Sequence, residues 1–376
     1  MERLNKVLAV LAVISFLAPG CKYEDPDPYT EPMELGEYEI DADTLNLGRE
    51  SYMLYCFACH GENGDGKGPS SFGLRPPPRD LRIATYKFGR AVDGLPHDED
   101  LTAIVKNGLT GTAMLPWDIP DTTLDAIIQY IKAFSPEGEG WRDEDAELGE
   151  RIEATPDPWE GKTAAAVERG KQIYHAYQCW SCHSAYATET EISAHAEAVK
   201  GKGIASFRPN LFSPEAKESA FYTARVQRKP GETAECEETS DCANEQEICV
   251  YGTCELKLKI IPPDFMYDEI RNGSDPTNLY RTIAAGIQGS GMPQWKGSVP
   301  DEDIWAVAHY VNWVAGWKGT AQVAQMKAKL RAAPHLKKVK AVEAPAAAPA
   351  VETAPAAAPA EEAAPAAVPA EAPATE

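Results

Sequence analysis

Two stretches of the chain share one rhythm of apolar and polar positions. In Asp121 to Phe134 (DTTLDAIIQYIKAF), Leu124, Ile127, Ile128 and Ile131 recur at i, i+3, i+4 and i+7. In Asp301 to Val314 (DEDIWAVAHYVNWV), Ile304, Val307, Ala308 and Val311 do the same. Each stripe predicts an amphipathic helix, and the prolines ahead of Asp121 and Asp301 are start signals. A shorter helical segment precedes each, beginning near Asp98 or Asp275-Pro276 and stopping at Gly108 or Gly286. Strand signal is slight in both halves, so the pattern predicts an all-α fold.

The rhythm belongs to an internal repeat. Gly48-Arg49-Glu50-Ser51-Tyr52 leads into Cys56-Phe57-Ala58-Cys59-His60, and Gly170-Lys171-Gln172-Ile173-Tyr174 leads into Cys179-Trp180-Ser181-Cys182-His183. Leu101 to Trp117 (LTAIVKNGLTGTAMLPW) then parallels Leu279 to Trp295 (LYRTIAAGIQGSGMPQW). The chain therefore reads as two compact copies of one helical unit.

CxxCH is the attachment motif of c-type haem. Two thiols three positions apart add to two vinyl groups, and the adjacent histidine sets an imidazole nitrogen on the iron. Cys56, Cys59, Cys179 and Cys182 are the attachment candidates, with His60 and His183 as iron ligands. A bare CxxC is otherwise a zinc site or a redox dithiol, but neither a further ligand pair nor a βαβ context accompanies it. For the opposite face of the iron, Met114 (GTAMLP) and Met292 (GSGMP) occupy equivalent Gly/Pro loops that can present sulfur to the metal. Met53 lies too close to Cys56 to reach that face. His97, His175, His195 and His309 are the alternative imidazoles and read as surface or core residues. Arg75, Arg79 and Arg208 sit in Gly/Pro-rich segments, either near haem propionates or solvated.

With Gly48, Tyr52, Cys56, Cys59, His60, Met114 and Tyr130 in one half, and Gly170, Tyr174, Cys179, Cys182, His183, Met292 and Tyr310 in the other, each half resembles a class I cytochrome c domain. Cys56 to Gly68 (CFACHGENGDGKG) resembles that family's haem loop, while Ser184 replaces the glycine after the second motif. The resemblance implies two tandem domains holding two haem c groups with His/Met ligation and a relatively high potential. It also implies six-coordinate irons without a substrate position.

Composition adds compartment and partners. The 376 residues carry 36 Lys and Arg against 58 Asp and Glu, a net charge of -22, which argues against nucleic acid as a partner. Arg3 and Lys6, an apolar run from Val7 to Ala18, and Leu17-Ala18-Pro19-Gly20-Cys21 predict an export signal. That end resembles a bacterial lipoprotein processing site, with Ala18 where the family usually has Leu; this implies lipidation of Cys21, the other outcomes being a plainly cleaved signal or an uncleaved anchor. Cys236, Cys242, Cys249 and Cys254 form an even cluster that reads as two disulfides of undetermined pairing in an oxidising compartment.

The expected organisation is a signal at 1–21, an acidic tether at 22–43, a first cytochrome c domain at 44–136 and an acidic linker at 137–161. A second domain follows at 162–320, with a small disulfide-rich insertion at 213–260 that serves as a docking surface or a stapled loop. A basic segment and an Ala/Pro/Glu tail complete the chain at 321–376. The expected function is single-electron transfer between redox proteins on the periplasmic side of a bacterial membrane, held there by lipid. A place as the cytochrome subunit of a respiratory complex (quinol-oxidising complex or terminal oxidase) fits the same features. No small-molecule substrate is expected on this reading; the alternative is a catalytic dihaem enzyme, peroxidase-like or thiosulfate-oxidising.

Overall fold

A computed structural model describes residues 26–215, 217–224, 234–243 and 245–333. Cys21, the export signal and the Ala/Pro/Glu tail lie outside the described residues. The described chain is mainly helical. The first half contains α1 (Ala42–Tyr55), α2 (Asp98–Asn107) and α3 (Asp121–Lys132). The second contains α4 (Thr163–Ala176), α5 (Glu189–Lys200), α6 (Pro276–Ala285), α7 (Asp301–Ala315) and α8 (Ala321–Ala332).

The caps have local causes. Asp41 accepts from Thr44 N at the start of α1, Asp275 accepts from Asn278 N at the start of α6, and Pro276 occupies the first turn, where its missing N–H costs nothing. At α5, Thr188 and Glu191 close a reciprocal capping box.

In the first half α1 crosses α3 at a glycine, and in the second α4 crosses α7 at another. A Cβ on Gly48 would lie 2.1 Å from Ala126 O, and one on Gly170 would lie 1.9 Å from Ala306 O. Only a residue without a side chain lets the backbones approach so closely. At the crossings Tyr52 meets Tyr130 edge-on at 5.5 Å, and Tyr174 meets Tyr310 at 5.5 Å. Leu45, Tyr52, Leu124, Ile127 and Ile128 are buried in one core, and Ile173, Tyr174, Ile304, Trp305 and Tyr310 in the other.

Three features depart from the all-α expectation. β1 (Met33–Leu35) and β2 (Tyr38–Ile40) form an antiparallel hairpin inside the segment read as a tether. Leu35 is fully buried in the first core, so apolar burial draws this acidic stretch onto the domain. Within the expected linker, β4 (Glu150–Arg151) pairs with β3 (Ala91–Val92), Trp141 is buried in the first core and Ile152 in the second. Residues 137–161 thus join the two halves by packing as well as by covalent connection. The third feature is a three-stranded sheet in the insertion, where β7 (Thr253–Ile260) pairs antiparallel with both β5 (Lys217–Ala224) and β6 (Glu247–Val250).

Disulfides Cys236–Cys249 and Cys242–Cys254 staple that sheet. The insertion turns toward the first half: Glu255 ion-pairs with Lys67, and Arg82 stacks on the Tyr251 ring at 4.5 Å. No helix among the described residues is long and apolar enough to cross a membrane.

Candidate haem sites

The end of α1 delivers the first motif. Cys56 caps the helix, and the chain continues into a single helical turn, Phe57–His60. Cys56, Cys59 and His60 line a cavity of about 1400 Å³, its mouth to solvent included. Met114 lines the same cavity, whose walls are largely Leu, Ile, Val and aromatic residues such as Leu101, Ile104, Ile127 and Trp117.

His60 is oriented from behind. Its Nδ1 lies 3.1 Å from the Arg79 carbonyl. A carbonyl can only accept, so Nδ1 carries the proton and Nε2 keeps its lone pair. Burial lowers the His60 pKa, which favours the neutral, ligating imidazole. The second half repeats this arrangement: His183 Nδ1 lies 3.2 Å from the Pro263 carbonyl, and burial lowers its pKa as well. Tyr52 OH donates to Gly61 O at 2.6 Å, and Tyr174 OH donates to Ser184 O at 2.7 Å. Each bond ties the residue after the histidine to the first helix, and the Gly-to-Ser change leaves that tie in place.

The methionine loops also match bond for bond. Thr112 Oγ1 donates to Leu109 O at 2.7 Å and accepts from Met114 N at 3.1 Å. Ser290 Oγ donates to Ile287 O at 2.7 Å and accepts from Met292 N at 3.2 Å. Leu109 N donates to Met114 O, and Ile287 N donates to Met292 O. Trp117 packs edge-on against Tyr55 at 5.9 Å, and Trp295 against Tyr177 at 6.0 Å. Each methionine sits in a small closed ring of hydrogen bonds rather than in a helix.

The donor set fits haem c. A neutral imidazole and a thioether line one apolar cavity, with two thiols on its wall. Burial pushes the thiols of Cys56 and Cys179 up to about 12, whereas a redox CxxC depends on a lowered thiol pKa. The other histidines are engaged elsewhere. His97 Nε2 lies 2.8 Å from Gly149 O, His309 Nε2 lies 2.8 Å from Asp157 Oδ2, and His175 stacks on His195 at 5.5 Å.

Of the three arginines, only Arg79 lines the first cavity. Arg75 is exposed and donates to Leu74 O. Arg208 gathers carbonyls around the second motif, donating to Trp180 O and His183 O at 2.8 Å each and to Ser213 O at 2.6 Å. The tyrosine ties and the Thr112 and Ser290 pins escaped the sequence reading. Their signal was available, because a hydroxyl residue stands two positions before each methionine.

The family described as "Cytochrome C oxidase, cbb3-type, subunit III" matches residues 43–131 and 262–311. The matched segments contain Cys56, Cys59, His60, Met114 and Met292, while the motif from Cys179 to His183 lies between them. A chain of the Kuenenia stuttgartiensis reducing HAO-like protein complex is similar at 22% identity and a TM-score of 0.47, covering 71% of this chain and 95% of its own. No curated protein matches the sequence. The family match and the site together support a c-type cytochrome with covalently bound haem and a part in electron transfer.

Proposed function

We propose that the protein is a dihaem electron carrier that passes single electrons between protein partners and transforms no substrate. One observation carries this reading: the hydrogen bonds that orient His60 and close the Met114 loop recur at His183 and Met292 with the same donors and acceptors, to within 0.1 Å for the pins and the histidine contacts. When bound, haem c supplies a one-electron iron couple. The chain holds each imidazole in the ligating tautomer, pins each methionine loop, and surrounds the first site with apolar walls that limit water. A pinned loop resists the ligand exchange that a substrate-binding iron requires.

His60 and Cys56-Cys59 form one attachment site and His183 and Cys179-Cys182 the other. The two disulfides suit an oxidising, extracytoplasmic compartment. Lipidation at Cys21 would hold the carrier at a bacterial membrane, within reach of quinol-oxidising or terminal oxidase subunits. The test is a haem count by alkaline pyridine spectra on acid-washed protein, combined with electron paramagnetic resonance of the oxidised form. Two covalent haems, both low-spin, are expected. One covalent haem, or a high-spin iron in the resting protein, overturns the reading.

A further inference from the structure

The first haem cavity is not built from the first half alone. Arg271, from the segment leading into α6, lines it together with Arg79 and Lys87. No Asp or Glu stands among the residues lining this cavity, so its wall presents three cationic side chains within an otherwise apolar surface. Positive charge in a partly desolvated wall suits a carboxylate, and haem c carries two propionates. Burial, and then the Arg271 and Arg79 guanidinium groups, hold the Lys87 ammonium down to about 7.

Arg271 is delivered there by a well-anchored stretch of chain. Thr110 N, in the Met114 loop, donates to Arg271 O at 2.9 Å. At the other end of the same stretch, the Pro263 carbonyl receives His183 Nδ1. Between them Asp264 accepts from Ser184 Oγ at 2.9 Å and from Tyr186 OH at 3.2 Å, and Phe265 and Met266 are buried in the second core. One run of nine residues, 263–271, therefore touches the ligand histidine of one site and the ligand loop and cavity of the other.

The repeat gives this placement a symmetry. Lys87 lies eight residues past the carbonyl that receives His60, and Arg271 lies eight residues past the carbonyl that receives His183. Equivalent positions of the two halves thus meet at one cavity. The contact is returned by the second methionine loop, where Gln288 Nε2 donates to Ala91 O at 2.9 Å and to Gly94 O at 3.3 Å in the first half.

We infer that Arg271 of the second half joins Arg79 and Lys87 of the first as the clamp for the propionate carboxylates of the first haem, so that the second half sets the potential of a haem attached to the first. The inference rests on the haem reading above. A guanidinium offers paired N–H donors that match a carboxylate, and a fixed positive charge beside the haem favours the reduced, more electron-rich state.

The test is a potentiometric titration of the full-length holoprotein. Its two low-spin signals are assigned with Met114→His and Met292→His variants. Arg271→Gln should lower the potential of the haem at Cys56-Cys59 and leave the other nearly unmoved, while Arg271→Lys should recover much of the loss. Arg271→His provides a second route if the glutamine variant does not fold. Its imidazole is charged only below about pH 6.5, so the first haem's potential should fall below that of the wild type at pH 8 and the gap between the two should narrow at pH 5, with Lys87 titrating in both proteins. Two covalent haems with both potentials unmoved, or shifted equally, would overturn the clamp and leave the carrier reading standing. Absence of haem at Cys56-Cys59 would overturn both.

Discussion

The glycine crossings give the most direct test of the packing. Replacing Gly170 with Ala puts a methyl carbon 1.9 Å from Ala306 O and 2.8 Å from Tyr310 Cβ, and real Cβ atoms essentially never come closer than 3.0 Å to such neighbours. The obstacle is a backbone carbonyl in the middle of α7, so no side-chain rotation relieves it, and the helices must part by about 1 Å in a close-packed core. Overpacking of this kind costs about 1–3 kcal/mol, and a rigid obstacle puts the cost toward the upper end. Against it stands the gain from exchanging glycine for alanine inside a helix, about 1 kcal/mol. The expected net loss is about 1–2 kcal/mol. Guanidinium unfolding of the holoprotein, followed by far-ultraviolet circular dichroism, should show a lower midpoint with an unchanged slope. Gly48→Ala, at 2.1 Å from Ala126 O, should behave likewise. An alanine variant as stable as the wild type, or more so, would mean that propensity outweighs the clash and would refute the tight crossing.

Other expectations follow from single contacts. Thr112→Val removes the hydroxyl that pins the Met114 loop at both Leu109 O and Met114 N; at about 1–2 kcal/mol for the lost bonds, added imidazole should displace Met114 at roughly 5- to 30-fold lower concentration. Asp98→Asn removes the charge opposite the ammonium of Lys132, which is fully buried and 2.7 Å from Asp98 Oδ1; with Gln129 Oε1 still accepting at 2.8 Å, the change should cost about 3 kcal/mol in denaturant unfolding. Removing the Cys236–Cys249 bridge with a double serine variant should loosen the insertion by about 2–4 kcal/mol, read as faster proteolysis within it while the haem count holds. Burial raises the Glu191 pKa, but the Lys329 ammonium and the Thr188 amide and hydroxyl outweigh it and bring the carboxyl down to about 2 from its ordinary 4.5. The stabilisation from a lowered carboxyl is present above 4.5 and lost as pH falls toward 2. The stability gap between wild type and Glu191→Gln should therefore be full at neutral pH and close across that window.

Much of this protein was readable along the chain because its chemistry is local. The CxxCH spacing is a property of consecutive residues, the apolar stripes of α3 and α7 follow from helical periodicity, and the repeat exposes Met114 and Met292 as equivalents without any contact being known. Where apolar residues were few, local reading failed. Leu35 and Trp141 each pull an acidic segment into the first core, and burial of one large side chain outweighs the preference of its charged neighbours for water. Long-range closure was invisible for a different reason. Pro263 supports His183 from 80 positions away, across an insertion whose strands hide the repeat, and a backbone carbonyl carries no residue-type signal. Arg271 belongs to no motif of the sequence. Its place in the cavity of the other half follows from how the two copies pack, because pairing between distant segments depends on geometry that no spacing along one segment encodes.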